Sequence, residues 1–245
     1  MSELVADVGN SRIKWGIVGR SQLDELMTLP LDEPAAWEAA FRERLLPDPR
    51  RCTIAGTNPD GRNRLATWLR SRGSQVNILD DYHQVPISVL VDKPETVGID
   101  RLLNAAAISQ KAIPAIVVCA GSAVTVDLVD REGAFRGGAI FPGFRLMAKS
   151  LRDYTARLPY INPFPDIESI VPGTNTKSAI EAGIAHAVHG GIDRLVRNLR
   201  IQAGPARVFL AGGDAHLLTN LECQPEVVGP YLTLEGMRLT LRKPT

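Results

Sequence analysis

Residues 4–14 read Leu-Val-Ala-Asp-Val-Gly-Asn-Ser-Arg-Ile-Lys, a short apolar run followed by polar turn residues. The apolar run predicts a buried strand, and Asn10-Ser11 predicts a turn. Beyond the turn, apolar residues at every second position predict a strand that returns beside the first: Ile13, Trp15 and Ile17. Asp7 and Gly9 are therefore expected at the tip of a β-hairpin.

The same pattern begins again about 110 residues later. A second apolar strand over 113–119 is followed by the turn Gly121-Ser122 and by a returning strand in which valines alternate. A third strand is expected in each half, near residues 23–31 and 135–141. Helices then alternate with strands, so the pattern predicts an internal duplication of α/β units.

The two halves are expected to divide the chain into domains over 1–112 and 113–245. Each would hold a mixed sheet, because an antiparallel opening leads into parallel βα units. The last part of the chain predicts three further elements: a short helix over 214–221, a strand over 227–232 and a helix over 234–242.

Composition places the chain among ordinary globular proteins. Its 245 residues carry 28 Lys and Arg against 27 Asp and Glu, a net charge of +1. These values argue against a disordered chain, a collagen-like repeat and a disulfide scaffold, and they provide no broad positive field for nucleic acid. No nucleic-acid partner is expected, while an enzyme, a binding module and a structural part all stay open on composition alone.

Neither a membrane segment nor a cysteine metal site is expected. The first residues show no basic region followed by a long apolar one, and the apolar stretch 113–120 is far shorter than the ~20 residues that cross a bilayer. The three cysteines form no Cys-x-x-Cys pair. His186 and His189, three residues apart, fit either two metal ligands or a polar helix face, and we expect the latter. The interpretation is a cytoplasmic protein without a membrane partner.

The two turns carry the chemistry of the sequence. Glycine lets a backbone approach a ligand closely, and the neighbouring N–H groups and hydroxyls can donate to phosphate oxygens. Lys14 could reach the same phosphates, and Asp7 could hold Mg²⁺ through water. A plain β-hairpin also explains the first turn taken alone, but its repetition in the second half favours nucleotide binding.

Other stretches allow two interpretations each. Gly98-Ile99-Asp100-Arg101 opens a helix, where Asp is common, yet a carboxylate can also accept a hydroxyl proton and a guanidinium can pair with an anion. Residues 174–176 fit a helix cap, a further candidate site, or both. Glycine clusters over 137–143 and 212–214 fit tight loops or the walls of a ligand site.

Taken together and in this order, the motifs resemble those of the type III pantothenate kinases of bacterial coenzyme A synthesis. The matching stretches cover nearly the whole chain: residues 7–14, 98–101, 121–127, 137–143, Thr176 and 211–214. The resemblance implies the acetate and sugar kinase/Hsc70/actin (ASKHA) fold, an α/β fold of duplicated ribonuclease H-like halves with mixed sheets and a nucleotide cleft between them. It also implies ATP-dependent phosphorylation of pantothenate to 4′-phosphopantothenate, the first step of coenzyme A biosynthesis.

The resemblance assigns a role to each matching residue. ATP would be contacted by Asp7, Val8, Gly9, Asn10, Ser11, Arg12, Ile13, Lys14 and Ser122. Pantothenate would be bound by Gly98, Ile99, Asp100, Arg101 and Thr176. Within that set, Asp100 would be the general base that takes the proton from the primary hydroxyl, and Arg101 would bind the carboxylate end. The resemblance further implies Mg²⁺, a monovalent cation (K⁺ or NH₄⁺) and a homodimer with the pantothenate site near the subunit interface.

Two residues depart from the family pattern. The family places an Asp two residues before the second-loop glycine, where it binds the monovalent cation, and this chain has Cys119 there. A thiol is a poor ligand for a hard cation, so K⁺ is held by other groups, is not required, or its loss impairs activity. Val91 replaces a family tyrosine ahead of Gly98, which removes an aromatic hydroxyl.

Three functional hypotheses follow. The chain is an active pantothenate kinase, a non-catalytic relative that binds nucleotide or a partner protein, or an ASKHA kinase for another small hydroxy acid. Lys14, Asp100 and Arg101 favour the first hypothesis, whereas Cys119 and Val91 motivate the second.

Overall fold

The computed structural model describes residues 3–20, 22–43, 51–162, 171–218 and 220–241. The chain forms two compact units. The first comprises Met1–Lys111 with Tyr231–Thr245, and the second comprises Ala112–Pro230. The last segment thus belongs to the first unit, which differs from the expected division at residue 112.

Strands and helices alternate along the described residues as the duplication predicts. The strands are β1 (Glu3–Val8), β2 (Arg12–Val18), β3 (Leu23–Pro30), β4 (Arg51–Ala55), β5 (Gln75–Ile78), β6 (Ala115–Ala120), β7 (Ala123–Val129), β8 (Phe135–Pro142), β9 (Arg207–Ala211) and β10 (Glu226–Gly229). The helices are α1 (Pro34–Glu43), α2 (Pro59–Ser71), α3 (Ile99–Ser109), α4 (Phe144–Asp153), α5 (Thr176–Ala203) and α6 (Leu232–Thr240).

The described part of each unit contains one five-stranded mixed sheet, and the two sheets have the same topology. The strand order is β3-β2-β1-β4-β5 in the first unit and β8-β7-β6-β9-β10 in the second. In both sheets the first three strands of the unit are antiparallel, the fourth pairs in parallel with the first, and the fifth pairs in parallel with the fourth. The predicted duplication and the predicted α/β fold with mixed sheets are confirmed.

Alternation along β1 places one carboxylate on the face opposite the aromatic core. Leu4, Ala6 and Val8 pack into a cluster that includes the rings of Trp15 and Phe41, whose centroids lie 5.0 Å apart. Successive side chains of a strand point to opposite faces. Asp7 therefore points to the other face of the sheet, the side on which α6 packs against β1 and α3.

A pair of corresponding glycines, one in each unit, is required by a close backbone approach. Gly56 follows β4 with φ +125°, and a Cβ added there would lie 2.2 Å from the carbonyl oxygen of Val8. Gly212 follows β9 with φ +99°, and its added Cβ would lie 2.1 Å from the carbonyl oxygen of Ala120. The two positions correspond in the duplication, so the loop after each parallel strand lies directly against the strand that leads into a phosphate turn.

Three predicted elements near the end of the chain need correction. The helix over 214–221 is wrong: the described residues of this stretch form only a 3₁₀ turn at Ala215–Leu217, in which the N–H of Leu217 donates to the carbonyl of Asp214 over 3.0 Å. The strand over 227–232 ends early, because Gly229 adopts a left-handed φ of +84°. The final helix consequently starts at Leu232, and the predicted end at residue 242 lies outside the described residues.

Within the described ranges, no helix combines the length and the apolar character needed to cross a bilayer.

The close approach at residue 212 leads to the first testable prediction. Gly212→Ala is expected to lower the free energy of unfolding by about 2–4 kcal/mol, since a methyl group would collide with the Ala120 backbone and the positive φ would be strained. Gly213→Ala is the matched control, because an added Cβ there meets no atom within 4 Å. Urea denaturation of both variants measures the difference, and equal stability of the two would contradict this account.

Candidate active site

The first turn is a tight hairpin with an accessible tip. Asp7 lies opposite Lys14 in the β1–β2 register, and the N–H of Gly9 donates to the carbonyl of Arg12 over 3.1 Å. Asn10 and Ser11 are exposed at the tip. Gly9 does not adopt a left-handed φ, so backbone strain does not explain the glycine.

Asp7 is a buried carboxylate in an electrostatically mixed environment. Its side chain is 8% exposed, and burial raises the pKa from 3.8 to about 6. The charge of Asp100 also raises this pKa, while the Lys14 ammonium and a hydrogen bond from Thr233 lower it. The first unit therefore brings Asp7, Lys14 and Asp100 into one electrostatic site, although Asp7 and Asp100 are more than 90 residues apart in sequence.

Asp100 lies in the first turn of α3 and folds back towards the residue that caps the helix. Burial raises its pKa, while hydrogen bonds from the backbone N–H groups of Arg101 and of Asp100 itself lower it, as do the charges of Arg101 and Lys14. A Cβ added to Gly98 would lie 2.6 Å from a carboxylate oxygen of Asp100. Glycine at this position therefore leaves the space that the carboxylate occupies, and Arg101 follows it on the same helical turn.

The second turn repeats the backbone of the first without its charges. In the register of the sheets Cys119 lies opposite Thr125 and Ala211, just as Asp7 lies opposite Lys14 and Ala55. Cys119 thus holds the position of Asp7, and Thr125 holds that of Lys14. At the positions equivalent to Asp7 and Lys14, the second unit therefore has neither a carboxylate nor an ammonium group.

Two other glycine motifs of the second unit pack around this second turn. The N–H of Gly143 donates to the carbonyl of Ser122 over 2.9 Å, and a Cβ at residue 143 would lie 2.1 Å from the carbonyl oxygen of Gly121. The N–H of Asp214 donates to the carbonyl of Ala120 over 3.1 Å. The predicted motifs over 121–122, 137–143 and 211–214 therefore meet at one end of the second sheet, with the Ser122 side chain exposed.

Thr176 lies in the second unit, at the beginning of α5. The capping interpretation of this stretch holds for its neighbour: Asn175 accepts a hydrogen bond from the N–H of Ser178 over 3.0 Å, and the N–H of Asn175 donates to the Ser178 hydroxyl over 3.2 Å. Thr176 itself is exposed and lines a largely apolar groove of about 710 Å³ beside α4. Because Asn175 supplies the cap, the Thr176 hydroxyl is available for another role.

The donor set suits a divalent cation that arrives with a nucleotide. Among the described residues, no group of three or more His, Cys, Asp or Glu side chains could hold a metal by itself. A single carboxylate, Asp7, fits Mg²⁺, which keeps several water ligands and binds through phosphates. The neighbouring Asp100 strengthens this fit, because a cation would offset the repulsion between the two carboxylates. His189 instead donates through Nδ1 to the carbonyl of Ala185 over 2.8 Å in its own helix.

Sequence patterns did not reveal two buried polar residues of this site. Thr233 of α6 is hydrogen-bonded to Asp7 and lies 3.0 Å from Asn104 of α3, measured from Oγ1 to the side-chain oxygen. Both residues lie in helices with apolar faces and outside every motif. The one sequence signal for these residues is a polar side chain on an otherwise apolar helix face, and that signal does not predict which residue it contacts.

Comparison with known proteins identifies a family. A family model described as type III pantothenate kinase matches residues 3–198. The type III pantothenate kinase of Porphyromonas gingivalis is 30% identical over 253 aligned positions, which cover 97% of each chain.

Solved structures of low sequence identity share the fold. One is a conserved Campylobacter jejuni protein assigned to the Baf family of transcriptional activators, with a TM-score of 0.59, 20% identity and coverage of 97% of this chain and 96% of that one. Another is the activator of 2-hydroxyisocaproyl-CoA dehydratase from Clostridium difficile with bound ADPNP, with a TM-score of 0.52, 14% identity and coverage of 98% and 93%. At these identities the likeness establishes the duplicated ASKHA fold alone.

The burial of Asp7 predicts a pH-dependent gain in stability for Asp7→Asn. The carboxyl is protonated below pH 3.8 in folded and unfolded chains alike, and between pH 3.8 and about 6 mainly the unfolded chain ionises. This contribution to stability is therefore lost as the pH rises through about 6. The variant is expected to be more stable than wild type by about 3 kcal/mol at pH 8 and by about 1 kcal/mol at pH 4.5.

Urea denaturation at the two pH values measures this difference. Glu132→Gln, which neutralises an exposed carboxylate, is the control and should leave stability nearly unchanged. A gain for Asp7→Asn that is the same at both pH values would show that ionisation of Asp7 is not its cause.

Proposed function

The chain belongs to the type III pantothenate kinase family, and we propose how its residues divide the work of transferring a phosphoryl group from ATP to pantothenate. The reaction yields 4′-phosphopantothenate for coenzyme A biosynthesis. The observation that carries the proposal is the convergence of Asp7, Lys14 and Asp100 in the first unit. A kinase of this type needs a metal ligand, a cationic side chain that binds the phosphates and a general base close together.

Asp100 is the proposed general base. Its burial and its place in the first turn of α3 fix the carboxylate, while the positive charges of Arg101 and Lys14 favour its ionised form. In a loose phosphoryl-transfer transition state the attacking hydroxyl loses its proton late, so a carboxylate is basic enough. Asp100 would accept the proton of the primary hydroxyl of pantothenate as that oxygen bonds to the γ-phosphorus of ATP and the bond from that phosphorus to the departing ADP breaks.

The first turn is the proposed site for the phosphates of ATP. Residues 7–14 supply backbone N–H groups, the exposed hydroxyl of Ser11 and the ammonium of Lys14, all of which favour anionic oxygens. Asp7 would hold Mg²⁺ through water, and the ion when bound neutralises charge on the phosphoryl oxygens. Ser122, exposed on the second turn, would add a further hydroxyl to the phosphates.

Arg101 and Thr176 are the proposed anchors of pantothenate. A guanidinium pairs with a carboxylate through two parallel hydrogen bonds, so Arg101 would bind the acid end of the substrate. Gly98 and Ile99 would complete the binding segment. Because Val91 replaces the family tyrosine, the segment lacks one hydroxyl of the family pattern. Thr176 contributes an exposed hydroxyl that is not needed to cap α5.

We propose that the protein works as a homodimer in the cytoplasm. Large apolar side chains of the second unit that are strongly exposed include Ile140, Leu146, Tyr154 and Val171, at 60%, 45%, 89% and 64%. A second copy of the chain would cover them, in keeping with the dimer that the family implies.

The second unit also supports an alternative, a relative that binds nucleotide without turnover. Cys119 occupies the position equivalent to Asp7, where the family carries the cation-binding Asp. An assay with ATP and pantothenate, with and without K⁺, separates the possibilities. ATP binding without turnover at any monovalent cation would favour the alternative, whereas turnover with another hydroxy acid alone would indicate a different substrate.

Asp100→Asn provides the sharpest test of the proposed base. The amide keeps the shape but cannot accept the proton, so kcat is expected to fall by about 10²- to 10⁴-fold while ATP affinity stays close to wild type. Asp80→Asn is the control, because Asp80 is an exposed carboxylate, 3.9 Å from Arg62, in the same unit. Near-normal turnover in Asp100→Asn would rule out this role.

Cys119→Asp tests the proposed monovalent-cation position. A carboxylate is a hard ligand for K⁺ where a thiol is not, so the variant is expected to gain or strengthen activation by K⁺. Cys119→Ser, which changes the thiol to a neutral hydroxyl, should not restore a comparable response. Steady-state rates across a K⁺ titration measure the effect, and an unchanged K⁺ response in Cys119→Asp would count against the assignment.

A further inference from the structure

The last helix is fixed tightly against the helix that carries the proposed base. A Cβ added to Gly236 of α6 would lie 2.1 Å from the carbonyl oxygen of Leu103 on α3. The two backbones therefore touch at that point, and only glycine allows the contact. This packing determines where the side chains on the facing sides of α3 and α6 lie.

Three buried polar side chains form a hydrogen-bonded relay beside this contact. Asp7, Asn104 and Thr233 are 8%, 3% and 5% exposed. The Thr233 hydroxyl oxygen lies 3.0 Å from the Asn104 side-chain oxygen, and the same hydroxyl is hydrogen-bonded to the Asp7 carboxylate. Buried polar groups that are fully bonded to one another fix a single arrangement of their side chains.

The single hydroxyl hydrogen of Thr233 determines which groups donate and which accept in this relay. A threonine hydroxyl has one hydrogen, so Thr233 cannot donate to the Asn104 oxygen and to ionised Asp7 at the same time. A 180° rotation of the Asn104 amide places its NH₂ group at the position of the oxygen. Asn104 then donates to Thr233, and Thr233 donates to Asp7, so the single hydroxyl hydrogen is used once.

We propose that Thr233, oriented by Asn104, is a positioning residue that fixes the Asp7 carboxylate relative to the helix carrying Asp100. The inference rests on the role proposed above for Asp7 as the residue that holds hydrated Mg²⁺ with ATP. Asn104 is four residues after Asp100, one helical turn along the same side of α3. The relay therefore links the metal carboxylate and the base to one rigid element, and it acts through Asp7 without touching substrate.

A purely structural role would have a different signature. If Thr233 only stabilises the packing of α6, its loss lowers stability and leaves metal affinity and substrate affinities unchanged. If it orients Asp7, its loss weakens Mg²⁺-dependent nucleotide binding, as is usual when a partner behind a metal ligand is removed.

The test compares Thr233→Val, which keeps the shape and loses the hydroxyl, with Thr233→Ser, which keeps the hydroxyl. Calorimetric binding of a non-hydrolysable ATP analogue across a Mg²⁺ titration is the main readout. Thr233→Val is expected to raise the Mg²⁺ concentration at half-saturation about tenfold or more, and Thr233→Ser to stay within about twofold of wild type. In the activity assay, kcat falls for Thr233→Val while KM for pantothenate is unchanged.

A second threonine of the same helix supplies the matched control. The hydroxyl of Thr240 donates to the Met237 carbonyl of its own helix over 2.7 Å. Thr240→Val should leave the Mg²⁺ dependence of binding as in wild type. Equal Mg²⁺ dependence in Thr233→Val and Thr240→Val would overturn the proposal.

A double variant keeps the test valid if Thr233→Val is poorly folded. Thr233→Val combined with Asn104→Leu removes both partners, which leaves no amide unsatisfied and is less costly than removing one. It should show the same loss of Mg²⁺ affinity as the single variant, and wild-type affinity would overturn the proposal. Because the binding readout needs no turnover, failure of pantothenate phosphorylation in wild type would reject the proposed function without deciding this one.

Discussion

A carboxylate buried at the end of β1 governs how the first unit is put together. Burial removes most of the water around Asp7, so its charge must be balanced by groups that the fold brings to it from other elements. Lys14 lies opposite Asp7 on β2, and Thr233 reaches Asp7 from α6. The hairpin, the sheet and α6 are thus joined at one ionisable group, which is costly for the apo protein and useful to an enzyme that binds a divalent cation with its nucleotide.

The duplication repeats a backbone and uses it unequally. Gly56 and Gly212 allow the same close contact in each unit, between the loop after one parallel strand and the strand that leads into the turn. The side chains at the turns differ, since Cys119 and Thr125 stand where the first unit has its carboxylate and its ammonium. One unit carries the charged chemistry, while the other carries hydroxyls and backbone groups around an otherwise equivalent turn.

Local patterns in the sequence predicted the parts of the fold that local physics controls. Strand alternation and turn residues located both hairpins, and the motif order predicted the family and its reaction, which the family comparison confirms. The failures arose where tertiary structure decides. Gly229 ended a strand whose apolar pattern continued into α6, and Asn104 and Thr233, which are 129 residues apart, could not be paired from their own neighbourhoods. The roles of the individual site residues remain predictions.

The placement of α6 has a consequence for biosynthesis of the protein. Residues 112–230, which form the second unit, are inserted in the sequence between the two segments of the first, so a ribosome synthesises the whole second unit before it reaches Thr233. A nascent chain that stops short of α6 already contains the hairpin, α3 and the Asp7 carboxylate, but its first unit lacks the helix that covers that face. Vectorial synthesis thus makes α6 the element that completes the first unit, and a product truncated before it lacks the helix that packs against β1 and α3.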